Sequence, residues 1–209
     1  MVPDRNNFAQ FCGVCDRVVR MVTDLINHGS PVMISVTRSI STFTKPKMHV
    51  LVTGAAGLIG SHAMLALLEE GHSILATDIN PLPAKVVEDS APYSERVTQL
   101  TGDLTDIKFV DELFDSSAMA IEGIMHIGGI RSPVGLDPRI VHNINVVASY
   151  NVLQTAAARG VTRIVQASSC NALGLSWTMP EHWNLDFVPV NESHPMKPVS
   201  AFKTDLIWI

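Results

Sequence analysis

The chain has 209 residues, 46% hydrophobic and 17% charged, with a net charge of −5. That length holds one substantial core and a short appendage in a soluble globular protein, and its apolar runs are too short to span a membrane. The negative balance and the lack of a basic patch interleaved with aromatics count against nucleic-acid binding; three cysteines make no disulfide framework, which fits a reducing, cytoplasmic setting.

Residues 1–47 carry six Lys or Arg against three Asp or Glu, a balance of +3, whereas the remainder carries −8. The segment ends in Lys45-Pro46-Lys47, polar and proline-broken material before Met48. Three readings fit this leader: a mitochondrial targeting segment, an accessory segment, or sequence upstream of a start at Met48. Asp4, Asp16 and Asp24 count against the first, because transit peptides are poor in acids. The place of Met48, directly before an apolar run, favours the third and makes the leader poorly ordered or non-native. Cys12-Gly13-Val14-Cys15 has the spacing of a redox dithiol or half a zinc site but lacks the partners either needs, so no metal is expected.

The run Val50-Leu51-Val52 feeds Thr53-Gly54-Ala55-Ala56-Gly57-Leu58-Ile59-Gly60, a β-type stretch followed by a glycine turn that opens a helix. This is the start of a dinucleotide-binding βαβ unit. Gly54 permits a backbone that a Cβ hinders, Gly57 lets the chain approach a pyrophosphate, and Gly60 lets the helix lie close to its strand. The helix is predicted to carry Leu58, Ile59, Leu65, Leu67 and Leu68 on an apolar face and to stop at Gly71. A second strand over residues 73–77 runs into Asp78, at the distance where an acid binds ribose hydroxyls. The alternative is an acid that merely ends a strand before the turn Asn80-Pro81. A carboxylate there accepts from the 2′-hydroxyl of NAD and repels the 2′-phosphate of NADP, so NAD is the expected cofactor.

Further along, residues 84–89 read as a short helix and 96–100 as a third strand. Gly102-Asp103-Leu104 then leads to a helix whose apolar face is Phe109, Val110, Leu113 and Phe114. Residues 120–127 read as a fourth strand ending in Gly128-Gly129, where a backbone can lie against a ligand. Asp137-Pro138 starts a long helix through Ile140, Ile144, Val147, Val152, Leu153 and Ala156 to Gly160, and residues 161–167 read as a fifth strand. Strands alternating with helices predict an α/β fold, a Rossmann-type doubly wound parallel sheet covered on both faces. Ligands in such sheets sit beyond the carboxyl ends of the strands, where Gly54, Asp78, Asp103, Gly128 and Ser168 converge.

With these motifs in order, residues 48–202 resemble the extended short-chain dehydrogenases, the NAD-dependent epimerase/dehydratase family. Thr53 to Gly60 resembles the family's TGxxGxxG, which implies cofactor contacts at Gly54, Gly57, Leu58, Ile59 and Gly60. Asp103 and Leu104 match the segment that meets the adenine ring. His126-Ile127-Gly128-Gly129 resembles the H-x-A-A or H-x-G-G motif, whose backbone at Ile127, Gly128 and Gly129 lines the cofactor. Asn145-Val146 through Asn151-Val152-Leu153 matches N-V-x-x-x-x-N-V-L, with Asn145 on the cofactor. Ala167-Ser168-Ser169 and Gly174 match the strand end with the catalytic serine, which implies that Ser168 touches cofactor and that Ser169 hydrogen-bonds a substrate oxygen.

The local motifs are most similar to uronate dehydrogenases and related sugar-active members, which implies a sugar-like small-molecule substrate. Arg131 then reads as an anion contact or an ordinary surface arginine, and Asn171 as a substrate contact or a turn residue. Where many family members have Val-Tyr-Gly this chain has Ala172-Leu173-Gly174, a departure from the nucleotide-sugar epimerases. The family's Tyr-x-x-x-Lys is also missing: the run His194 to Ala201 that leads into it is followed by Phe202, with Leu206 four positions later. Phenylalanine has no proton to transfer, and leucine neither binds a ribose nor lowers a pKa. Residues 203–209 form an atypical tail, which is expected to be foreign in origin, with the C-terminal substrate portion and a possible homodimer belonging to a longer form. The competing expectation is a pseudoenzyme that keeps the nucleotide-binding fold without catalysis.

Overall fold

The computed structural model describes residues 47–132, 134–169, 185–188 and 193–195. The expectations for residues 1–46, Asn171, Ala172 to Gly174, Phe202, Leu206 and the tail lie outside the described residues.

Strand β1 (His49–Thr53) is buried at every position, because it is the middle of the sheet and has helices over both faces. On one side it pairs in parallel with β2 (Ser73–Asp78), which pairs with β3 (Val97–Thr101); on the other it pairs with β4 (Gly123–His126), which pairs with β5 (Arg163–Gln166). The order is β3-β2-β1-β4-β5. The chain therefore winds outward through β2 and β3, then returns to the far side of β1, and the reversal opens a crevice between β1 and β4.

Alternation along the strands divides the interior into two cores. Val50, Val52, Ile74, Ala76 and Met125 pack with Ala63, Met64, Leu67 and Leu68 of α1 (Leu58–Glu69). Leu51, Leu75 and Ile124 pack with Val110 and Leu113 of α3 (Ile107–Asp115) and with Ala148, Val152 and Ala156 of α5 (Ala148–Ala158). Helix α2 (Ala84–Ser90) adds Val86 to the first core. Among the described residues no helix is long and apolar enough to cross a membrane.

Several element boundaries differ from expectation. The fourth strand begins at Gly123 rather than 120, since its register starts at Val50↔Gly123 and ends at Thr53↔His126, where β1 gives way to the glycine turn. The ladder sets these ends, and β5, paired with β4, is equally short. The third strand is displaced by one residue, to Val97–Thr101. The long helix is α4 (Pro138–His142), then a π turn (Asn143–Val147), then α5. Its start is as predicted, with the Asp137 side chain accepting from the N–H of Arg139 and Pro138 in the first turn. Leu58 and Ile59 are not on the core face of α1: they are 44% and 48% exposed. The core face of α1 starts later, with Ala63 and Met64.

Candidate functional site

The crevice is built from three loops that leave the carboxyl ends of β1, β3 and β4. The first is the glycine turn. Gly54 has φ +68°, and a Cβ there would stand 2.7 Å from the amide nitrogen of Gly128, so the turn after β1 and the loop after β4 meet backbone to backbone. Gly57 donates its N–H to the Gly54 carbonyl at 3.0 Å. A Cβ on Gly60 would lie 2.0 Å from that same carbonyl oxygen, so α1 abuts the turn itself rather than the body of the strand. Among the described residues no side chain caps α1, and its first turn carries no acid. The first-turn N–H groups and the positive end of the helix dipole are left for an anion.

Asp78, half-buried at the end of β2, is tied to this turn. Its Oδ2 accepts from the N–H of Ala56 at 3.1 Å and its Oδ1 from the N–H of Asn80 at 3.0 Å. Each carboxylate oxygen keeps a second lone pair for a ligand hydroxyl. The loop after β3 continues the rim: Gly102 donates to the Asp78 carbonyl at 3.0 Å, and exposed Asp103 accepts from the N–H of Thr105 at 2.8 Å. Leu104 is buried, its side chain 3.3 Å from where a Cβ on Gly128 would stand. Asn151 of α5 holds this loop by donating Nδ2 to the carbonyls of Leu104 and Thr105 at 3.0 and 3.1 Å. Beside it an open groove of about 880 Å³ runs between Asp103 and Thr105 on one wall and Asp137 to Ile144 on the other.

The loop after β4 is held by side chains. The Thr53 hydroxyl accepts from the N–H groups of Ile127 and Gly128 at 3.1 and 3.0 Å and lies 2.7 Å from His126 Nδ1. His126 Nε2 lies 2.8 Å from the Ser149 hydroxyl, which donates to the Asn145 carbonyl at 2.7 Å. The Asn145 amide brackets Ile130, accepting its N–H at 2.7 Å and donating to its carbonyl at 3.1 Å. Burial pushes the His126 imidazole down to about 4, so the ring is neutral at physiological pH.

The structure thus brings Gly54, Gly57, Gly60, Asp78, Leu104, Gly128, Gly129 and Asn145 around one crevice, with Gly129 against the Asn145 amide. Leu58 and Ile59 stand exposed on the first turn of α1. Ile127 is half-buried in the β4 loop, and Asp103 and Arg131 are exposed. Exposed Ser168 and half-buried Ser169 follow β5, whose end is joined to β4 by the Ala167 N–H donating to the His126 carbonyl at 2.9 Å. Thr53, His126, Ser149 and Asn151 were not expected as site residues. Thr53, His126 and Asn151 stood inside quoted motifs, but nothing in the motifs says what a hydroxyl, an imidazole or an amide bonds to. Ser149 gave no signal at all.

The sequence matches the NAD dependent epimerase/dehydratase family over residues 50–208. It is 30% identical over 161 residues to UDP-arabinose 4-epimerase 1 of Arabidopsis thaliana, covering 74% of this chain and 36% of that protein. It is 33% identical over 157 residues to the UDP-glucose 4-epimerase of Mus musculus, covering 70% and 42%. The fold superposes with a TM-score of 0.64 and 26% identity on a UDP-glucose-4-epimerase from Stenotrophomonas maltophila solved with bound NAD and formylated UDP-arabinopyranose, covering 77% of this chain and 46% of that one. The chain spans about two fifths of the length of these curated relatives. They act, by name, on nucleotide sugars, the direction from which Ala172-Leu173-Gly174 departs. The match begins at the second residue of β1 and takes in every later strand, and the chain belongs to the NAD dependent epimerase/dehydratase family.

Proposed function

We propose that the crevice over the carboxyl ends of β1, β2 and β4 holds NAD, and that the chain is the cofactor-binding part of an enzyme that acts on a sugar or sugar-acid hydroxyl or carbonyl. The observation that carries this reading is the fit of the glycine turn to a dinucleotide. Among the described residues the first turn of α1 is uncapped, Gly54 leaves no room for a side chain and Gly128 little, and the Asp78 carboxylate stands over the turn with lone pairs to spare. On this reading Gly57 to Gly60 hold the pyrophosphate and Asp78 the adenosine ribose. Asp103 and Leu104 flank the adenine, while Ile127, Gly128, Gly129, Asn145 and Ser168 flank the nicotinamide end. NAD, when bound, supplies reversible hydride transfer.

The remaining roles belong to the chain. Ser169 Oγ hydrogen-bonds the substrate oxygen whose proton is exchanged, and Arg131 and Asn171 contact the substrate, Arg131 through its positive charge. The relatives' names favour a nucleotide sugar, whereas the motifs at His126 to Ile130 and Ala167 to Asn171 favour a sugar acid. A second reading, a nucleotide-binding protein without turnover, is supported by Phe202 and Leu206 at the positions where the family carries its tyrosine and lysine.

Calorimetric titration of the chain with NAD and NADP tests the cofactor assignment: NAD is expected to bind and NADP to bind more weakly, and equal or tighter binding of NADP would sink the role given to Asp78. Epimerisation of UDP-glucose and UDP-arabinose, set beside NADH formation from uronates, separates the two substrate classes. NAD binding with neither activity supports the second reading.

A further inference from the structure

We propose that His126 is a positioning residue, whose two ring nitrogens join separate clamps on the Ile127–Ile130 loop into one buried hydrogen-bonded strap that presets the loop for its ligand. The inference rests on the cofactor reading above for what the loop receives, but the strap itself stands on geometry.

Proton accounting fixes the direction of every bond. A hydroxyl oxygen has two lone pairs and one proton. Both lone pairs of Thr53 Oγ1 are taken by the N–H groups of Ile127 and Gly128, so its proton goes to His126 Nδ1. Nδ1 is then the acceptor, which places the ring proton on Nε2, where it is donated to Ser149 Oγ. Ser149 in turn donates its own proton to the Asn145 carbonyl. Neutral imidazole in the Nε2–H tautomer satisfies all of these partners at once; the opposite tautomer faces Thr53 with two protons, and the doubly protonated ring does the same.

The two clamps lie at opposite ends of the loop. Thr53 grips Ile127 and Gly128 where the chain leaves β4, and the Asn145 amide grips both backbone groups of Ile130 where it turns toward α4. Thr53 is the last position of β1 and Asn145 lies in the π turn. His126 and Ser149 are the links between them, and both are buried. A buried polar chain with every member satisfied confers a unique geometry, and breaking one link leaves the next without its partner.

Amide hydrogen exchange on the full chain, paired with NAD titration, decides the matter. Thr53→Val removes the acceptor of two N–H groups, Ser149→Ala removes the acceptor of Nε2–H, and Thr53→Ser keeps the hydroxyl. Exchange at Ile127 and Gly128 is expected to quicken about tenfold in Thr53→Val and Ser149→Ala relative to Leu51 and Val52, with Thr53→Ser within about threefold of wild type. Ser149 touches neither amide, so its effect there reports the chain through His126. The Kd for NAD is expected to rise about fivefold or more in the same two variants at temperatures well below their melting. If Thr53→Val does not fold, Ser149→Ala alone carries the test. Exchange that rises uniformly across β1 and the loop, exchange that does not rise, or a faster loop with an unchanged Kd each overturns the proposal. Absence of NAD binding by the wild-type chain defeats the cofactor reading instead, and the local exchange pattern still decides whether the strap exists.

Discussion

The turn after β1 and the loop after β4 face each other across the crevice, yet they are shaped by different forces. The first is set by excluded volume: Gly54 sits at φ +68°, and Gly60 leaves no room for a Cβ beside the Gly54 carbonyl. The second is set by bonds from side chains that are remote in sequence, with Ile130 held by Asn145 and Ile127 by Thr53, 15 and 74 positions away. A sterically shaped turn, even one fastened by a carboxylate at Ala56, tolerates no added atoms. A bonded loop tolerates small changes of volume but not the loss of a donor, an acceptor or the right proton.

The sharpest break in that contrast is Gly60→Ala. Its methyl carbon would lie 2.0 Å from a backbone oxygen that cannot rotate away, so the turn must move. A loss of about 3 kcal/mol in urea unfolding is expected, with no measurable heat on NAD addition. An alanine variant that melts and binds like wild type would show that the turn is not sterically set.

Acid tests the opposite side. His126 is pushed down to about 4 by burial, while the same imidazole in the unfolded chain titrates near its ordinary value of about 6.5. Between those values the unfolded chain binds the proton and the folded one does not. Stability is therefore complete above about pH 6.5 and is lost as the pH falls toward 4, by up to about 3 kcal/mol. His49, lowered by desolvation against the opposing pull of Glu122, acts in the same direction. Thermal melts at neutral and acidic pH should show a shallower decline in His126→Asn than in wild type; parallel declines would remove His126 as the cause.

Smaller effects extend the comparison outward. Asn151→Ala withdraws two donated bonds from the carbonyls of Leu104 and Thr105, and should cost about 1–2 kcal/mol. Its exchange signature should centre on residues 102–105, and a signature centred on the β4 loop would mean that the two bonded loops are not separate. Gly160→Ala is the mildest. Gly160 has φ +73° but no atom of the described residues within 4 Å of a Cβ, so the strain of the left-handed conformation is what remains, about 1 kcal/mol, with NAD binding unchanged. A loss as large as that of Gly60→Ala would mean that conformation rather than crowding governs the glycines.

The same division explains what was readable beforehand. The strand order of events, the glycine turn, Asp78 and the Asp137-Pro138 helix start depend on neighbours within a few residues, and each appears where its local pattern placed it. The strand ends differ because pairing sets them: the β1–β4 ladder runs only from Val50↔Gly123 to Thr53↔His126, and nothing within residues 120–122 records that. Leu58 and Ile59 fit a helical apolar stripe by count, but they stand on the first turn of α1 at the mouth of the crevice and are exposed. Thr53, His126 and Ser149 act through partners far along the chain, and the π turn shifts the register in which Asn145 and Ser149 are presented. No periodicity records such contacts. A buried imidazole and a buried serine look, in sequence, like any others.

One consequence of the Asp78 geometry concerns coenzyme engineering. Redesign toward a phosphorylated ribose ordinarily begins by deleting the acid at the end of the second strand. Here that acid also holds the Ala56 N–H inside the glycine turn and the Asn80 N–H just beyond the strand. On the proposed role of Asp78, alanine or glycine at this position would relieve the repulsion and at the same stroke unfasten the turn. Asparagine retains one acceptor oxygen without the charge, which makes it the gentler first exchange, with a compensating cation introduced afterwards at exposed Ile79.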